Sequence, residues 1–253
     1  MSARVGTSRG KDSAVVGNRR YQGFVLGLVV AAVCAVSGCT PERDDDAAAV
    51  LHEAVNRLDR ESFRATAKVT RGDGQELSDV VGVTDQSRNW RVFTVSVLED
   101  GVKVTTETRQ IGHDVYTRFA KDGALVKVQE GKTWVYTDLT RHPRGNGLIE
   151  MDVRALLKPL DHIVRAERAG TGNFRGDFDF AAAQGLKDRP QDRAVAFEAT
   201  VDSQGRLTRL TYLREPAGDS QGDRSELTIS EYGTKVQVDV PPAAEITRNP
   251  LTK

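Results

Sequence analysis

The feature that most constrains the fold is a series of short segments in which apolar and polar residues alternate. In residues 63–70 each apolar residue is followed by a polar one. Because successive side chains of a β-strand point to opposite faces, this alternation predicts a strand with one buried face. Further strands are expected at residues 77–83, 90–97, 102–111, 115–119, 124–128, 132–137, 163–168, 194–201, 207–213, 224–230 and 236–240. Asp-Gly and other glycine turns separate many of them, so we predict an antiparallel meander.

Two segments have helical periodicity instead. Residues 44–58 begin with aspartates that can cap a helix, and their apolar residues recur at three- and four-residue spacing. Residues 152–160 form a second candidate, in which Asp152 can cap the start and Pro159 shortens or kinks the end. A brief helix is also expected at residues 178–186. The sequence thus predicts an α+β, mostly β protein.

The amino-terminal segment has the three parts of a secretory signal peptide. Basic residues precede an uncharged apolar run at residues 24–36, and the small residues Ser37 and Gly38 then lead to Cys39. A permanent membrane-spanning helix needs roughly 20 apolar residues, so this run is short for one. The residues V-S-G-C at 36–39 resemble the bacterial lipobox. That resemblance implies cleavage after residue 38 and a covalent diacylglycerol and N-acyl lipid on Cys39.

Four alternatives remain for this segment. It can be a plain secretory signal, or a membrane anchor that happens to contain a cysteine. The pair Arg19-Arg20 allows twin-arginine export, although residues 21–24 fit that motif poorly and ordinary export is favoured. The basic flank is long, so the true start can also lie downstream of Met1. With lipidation, we expect the protein on the outer face of the cytoplasmic membrane.

Composition excludes several classes of protein. The formal net charge is +0, and the basic residues of the amino terminus leave a mildly acidic remainder, which offers nothing to attract nucleic acid. Both cysteines, Cys34 and Cys39, belong to the amino-terminal segment, so no disulfide or thiolate metal site is possible after residue 39. The protein partner, if one exists, is not indicated by the sequence.

No catalytic constellation can be recognised. The four histidines lie in different predicted elements, and none has metal-ligand spacing. There is no nucleophile elbow and no phosphate-binding loop. Asp177 and Asp179 would share a strand face, but exposed carboxylates commonly do so. We therefore expect no enzyme activity, no metal site and no cofactor apart from the lipid on Cys39. Trp90, Trp134 and Tyr136 are expected to be buried on a sheet face rather than to stack on a ligand.

Several segments together are similar to one family. They are the lipobox, the helix at 44–58, and the stretches KTWVYTDL (132–139), MDVRALLKPL (151–160), FEATVDSQGRLTRLTY (197–212) and ISEYGTKVQVDVPPAAEI (229–246). In combination they resemble the actinobacterial LolA-like envelope lipoproteins of the LppX/LprG family. The resemblance implies a curved antiparallel half-barrel sheet with helices packed on its concave face. It divides the chain into a signal peptide (1–38), a lipidated tether (39–46), a LolA-like β domain (47–246) and a tail (247–253).

What the resemblance implies about function is the binding of a lipid or lipopeptide in an apolar cavity, as a carrier or chaperone. Such a cavity needs small inward side chains on the sheet and an apolar helix over it. The candidates for its lining are Ala65, Ala67, Leu156, Leu157, Leu160, Ala194 and Ala196. The alternative for each is ordinary core packing, and a filled core would favour a sensor or protein-interaction lipoprotein without lipid cargo.

Overall fold

The computed structural model describes residues 45–141, 153–183, 185, 194–214 and 222–248. They all belong to the second of two compact units, Pro41–Lys253. The predicted signal peptide, Cys39 and most of the tether lie outside the described residues. So do the proposed cap Asp152 and the end of the tail.

Within the described ranges, thirteen strands form one open, curled sheet. They are β1 (Ser62–Arg71), β2 (Glu76–Asp85), β3 (Trp90–Glu99), β4 (Val102–Ile111), β5 (Asp114–Lys121), β6 (Ala124–Leu125), β7 (Trp134–Asp138), β8 (Ile163–Arg168), β9 (Asn173–Asp179), β10 (Ala194–Val201), β11 (Leu207–Arg214), β12 (Asp223–Ser230) and β13 (Ile246–Arg248). Their order is β13-β7-β5-β4-β3-β2-β1-β12-β11-β10-β9-β8, with β6 beside β5. The predicted mostly β class and antiparallel meander are confirmed.

Helices are few in the described part of the chain. They are α1 (Asp45–Arg57), α2 (Val153–Leu157) and α3 (Phe180–Ala183), and a 3-10 helix at Lys158–His162 continues α2. The apolar stripe of α1 is buried, as the spacing of its residues predicts. This helix contacts β8, β11 and the 3-10 helix. The helical segments therefore lie on the part of the sheet that the carboxy-terminal strands form.

Strand register gives the sheet two distinct faces. In β1 the buried residues are Phe63, Ala65 and Ala67, which alternate with partly exposed neighbours. Ala65 lies opposite Gly82 on β2 and opposite Ile229 on β12. We call the face that carries these side chains the inner face and the opposite one the outer face. The inner face of β8 to β3, together with α1, α2 and the 3-10 helix, forms the hydrophobic core.

Three predicted elements are different in the structure. The strand expected at 124–128 is only the two-residue β6. Residues 236–240 are extended but are not a strand, although Val236 and Val238 are buried. Arg109 Nη1 donates to the Asp239 carbonyl at 2.9 Å, and Arg88 Nη2 donates to the Val236 carbonyl at 3.3 Å. These carbonyl groups therefore bond to arginine side chains instead of to the backbone of a neighbouring strand. The last described residues form β13, which pairs with β7 in the parallel direction. The helix expected at 178–186 is shorter, because β9 continues to Asp179.

Candidate functional site

The structure brings together five of the seven side chains proposed to line a cavity. Ala65 and Ala67 on β1, Leu157 at the end of α2 and Leu160 in the 3-10 helix are buried in one hydrophobic cluster, and Leu156 packs partly buried against it. The 3-10 helix is held close to α1, since His52 Nε2 lies 2.9 Å from the Leu160 carbonyl oxygen. These residues are therefore part of the filled core beneath the helices.

The expectation that Ala194 and Ala196 face inward is wrong. Both are exposed on the outer face of β10, and Val195 and Phe197 between them are buried in the core. Alternation allows only one set of side chains to face the core, and the larger apolar set gains more free energy from burial. Glu198, two residues beyond Ala196, was the signal in the sequence that this set faces water.

An aromatic cluster closes one end of the inner face, and the sequence did not indicate it. Phe178 stacks on Phe197 with 5.7 Å between ring centroids and meets the ring of Tyr212 edge-on at 5.3 Å. Phe180 lies 6.3 Å from both Phe178 and Tyr212. Phe180 and Tyr212 remain partly exposed, so this cluster reaches from the core to the surface.

The inner face of β3 to β5 is only half covered at one end, whereas Phe93, Val95 and Val115 toward the other end are buried. Val97 on β3 lies opposite Val104 on β4, and Thr106 lies opposite Phe119 on β5. All four are half-buried, as is Val69 on β1. We call Val69, Val97, Val104 and Phe119 the apolar strip. An open surface of this kind favours contact with another apolar group over contact with water.

The outer face is occupied by packed aromatic and charged side chains. Trp134 is 1% exposed there, and the guanidinium carbons of Arg109 and Arg118 lie 4.8 and 4.7 Å from its ring centroid. Both arginines also donate from Nε to Glu107, at 2.9 and 2.7 Å. This arrangement stabilises the sheet and leaves the ring no open face for a ligand, so burial of Trp134 on a sheet face is confirmed.

Tyr136 is held on the same face by a carboxylate. Its hydroxyl donates to Asp114 Oδ1 at 2.8 Å, and this hydrogen bond together with partial burial raises the pKa of Tyr136 to about 12. A phenol with a raised pKa stays protonated at neutral pH and is a poor general base. The remaining tryptophan, Trp90, is partly exposed under Arg88, whose guanidinium carbon lies 4.4 Å from the ring centroid.

The outer face of β8 to β12 has a groove of about 660 Å³ with a charged lining. Arg165, Arg175, Glu167, Asp177 and Glu198 border it, and two ion pairs, Arg165–Asp177 and Arg175–Glu167, neutralise part of this charge. Burying an acyl chain here would remove charged groups from water, which is unfavourable. The inner face is therefore the better candidate for an apolar ligand.

Across the described ranges, no group of three or more histidine, cysteine, aspartate or glutamate side chains is arranged to hold a metal ion. The Asp177 carboxylate pairs with Arg165 at 3.0 Å, and Asp179 Oδ1 accepts a hydrogen bond from the Ala182 amide at 2.9 Å. Among the helices that the structure describes, none has the length and hydrophobicity needed to cross a membrane.

Comparison with known proteins adds no relative from which a function could be transferred. No protein-family model matches this chain, and no curated protein matches it either.

Proposed function

We propose that this protein is an extracytoplasmic lipoprotein that binds a lipid or another amphiphile against the inner face of its sheet. It holds the acyl part of the ligand on the apolar strip and next to the core that α1 and α2 cover. The proposal is a binding or carrier role and includes no chemical step on the ligand. It also includes the LolA-like half-barrel arrangement, with the helices on the concave side of the sheet.

The observation that carries this proposal is the uneven covering of the inner face. Its β8 to β1 half is packed against helices, whereas Val97, Val104 and Phe119 on β3 to β5 are only half-buried. Burial of a Val or Phe side chain is worth about 1.5–3 kcal/mol relative to leaving it exposed. A ligand chain that covers the strip would gain a part of this free energy at each side chain.

The membrane anchor in this proposal is Cys39. The polar residues 40–44 and the start of α1 at Asp45 would separate the β unit from the acylated cysteine by a short tether. Two or more acyl chains on one residue suffice for stable anchoring, since each buried methylene contributes about 0.8 kcal/mol. The protein would then be positioned to take amphiphiles from the outer leaflet.

A second function has one observation in its favour. Leu157 and Leu160 are fully buried among core side chains, and so is Ala65. A sheet whose inner face is filled in this way can serve as a sensor or protein-interaction module without lipid cargo. Under this alternative the half-buried strip would contact a protein partner instead of an acyl chain.

Substitutions in the apolar strip distinguish amphiphile binding from the sensor or protein-interaction role. The full-length chain with Cys39→Ala has no thiol to acylate at that position and can be assayed for displacement of a fluorescent acyl probe by oleic acid. Val97→Asp in this background should weaken binding about tenfold or more, because a carboxylate would have to be buried against the chain. Val97→Trp should also weaken it, by filling the space without adding a charge.

Val81→Asp is the matched control, since Val81 lies on the outer face of β2 and is 39% exposed. Circular dichroism establishes that each variant is folded. Equal oleic acid binding by the Val97 and Val81 variants would refute amphiphile binding at the inner face. So would an unmodified protein that binds neither oleic acid nor monoolein.

A further inference from the structure

One row of the inner face breaks the apolar pattern. At the end of the sheet where β1 begins, Thr84 on β2, Arg91 on β3 and Gln110 on β4 lie opposite one another in the strand register. Phe63 and Val115 extend the same row on either side. We call Thr84, Arg91 and Gln110 the polar row. Because register neighbours share a face, all three side chains start from the inner face.

Two side chains of this row are buried and carry hydrogen-bonding atoms that pair with none of the described residues. Thr84 is 1% exposed and Gln110 is 3% exposed. Among the residues that the structure describes, the hydroxyl of Thr84 and the Oε1 atom of Gln110 have no hydrogen-bond partner. Buried polar atoms of native proteins are nearly always paired, so an unpaired one requires an explanation such as a ligand or an ordered water.

The chemistry of these two atoms restricts the group that can satisfy them. Gln110 Nε2 already donates to the Gly112 carbonyl at 2.8 Å, which fixes the orientation of the amide and leaves Oε1 as an acceptor. Oε1 therefore needs a donor. The Thr84 hydroxyl can donate or accept. A hydroxyl group provides both roles, whereas an ionised carboxylate only accepts and would leave Oε1 unpaired.

We propose that the polar row is a subsite for the hydroxyl-bearing polar end of an amphiphile, with Thr84 and Gln110 as its hydrogen-bonding residues. This inference rests on the proposed function. Thr84 on β2 and Gln110 on β4 are separated by β3, so their backbones lie two interstrand spacings apart, roughly 10 Å. A diol can therefore contact both side chains. The row lies six residues along β3 from Val97, roughly 20 Å. The ligand is therefore bound with its polar end at the polar row and its chain directed toward the apolar strip.

The test compares two probes that have the same acyl chain. Monoolein carries a diol, and oleic acid carries a carboxylate at neutral pH. Both are titrated against the full-length Cys39→Ala chain and against the same chain with Thr84→Val or Gln110→Met. Each variant should bind monoolein about five- to tenfold more weakly, the usual effect of losing one buried hydrogen bond, and should bind oleic acid unchanged.

Two further variants serve as controls. Thr84→Ser retains the hydroxyl and should restore monoolein binding. Thr66→Val makes the same chemical change on the outer face of β1, where Thr66 lies opposite Val81, and should affect neither probe.

The possible outcomes separate this inference from the proposed function. Loss of monoolein binding alone supports the subsite. Unchanged binding of both probes, or equal weakening of both, refutes the subsite and leaves amphiphile binding intact. If the unmodified protein binds neither probe, amphiphile binding itself is wrong and the subsite with it.

Discussion

Leu160→Ala tests whether the core beneath the helices is filled. Leu160 has 0% exposure and lies in the 3-10 helix that contacts α1, α3 and β9. Removing its side chain takes away apolar contacts and leaves a cavity that rigid neighbours cannot close. For a fully packed leucine this lowers the free energy of unfolding by about 3 kcal/mol or more. In a protein of this size the melting temperature should fall by roughly 6–12 °C.

Urea unfolding followed by circular dichroism measures this difference, and the slope of the transition should not change. Leu213→Ala is the matched control, because Leu213 is 53% exposed on the outer face of β11 and should change stability by less than about 0.5 kcal/mol. A loss below about 1 kcal/mol for Leu160→Ala would contradict the reasoning. It would mean that Leu160 borders open space, and the cavity would then lie beneath the helices instead of on the apolar strip.

Three further results are expected. Cys39→Ala should abolish incorporation of radiolabelled palmitate and move the protein from the membrane fraction to the soluble fraction, and continued labelling would exclude Cys39 as the anchor. Thr84→Val should raise the free energy of unfolding of the ligand-free protein by about 1 kcal/mol, because it removes a buried hydroxyl that has no partner in the described part of the chain; a clear loss in urea unfolding would contradict this. The pKa of Tyr136 rises from 10.0 to about 12 in the folded protein. The contribution of the protonated Tyr136 hydroxyl to the free energy of unfolding is therefore complete below pH 10 and is lost between pH 10 and 12. Tyr136→Phe should make stability less dependent on pH in that window, and tyrosinate absorbance that titrates at the ordinary pKa would count against the hydrogen bond to Asp114.

Local patterns in the sequence were sufficient for the elements that depend on their own residues. The alternation in residues 63–70 predicts β1, and the three- and four-residue spacing in 44–58 predicts α1, because in each case the periodicity states which side chains share a face. The same reasoning failed for residues 236–240. An alternating segment becomes a strand only if a sheet edge accepts it, and here arginine side chains bind its carbonyl groups.

The choice of faces shows a similar limit. Alternation in β10 divides its residues into two sets, and the prediction placed the alanine set inward although Glu198 belongs to that set and Val195 and Phe197 form the core-facing one. The polar row could not be predicted either. Thr84, Arg91 and Gln110 are unremarkable in their own strands, and only the register across β2, β3 and β4 places them side by side.

By itself, the sequence therefore determined the mostly β class, the first helix and the positions of most strands. These features follow from the periodicity of side chains within one short segment of the chain. Strand order, the filled core around Leu160 and the half-covered strip around Val97 were decided by tertiary structure. They depend on contacts between residues far apart in the chain, and the free energy of such contacts is set by which surfaces meet rather than by any local pattern.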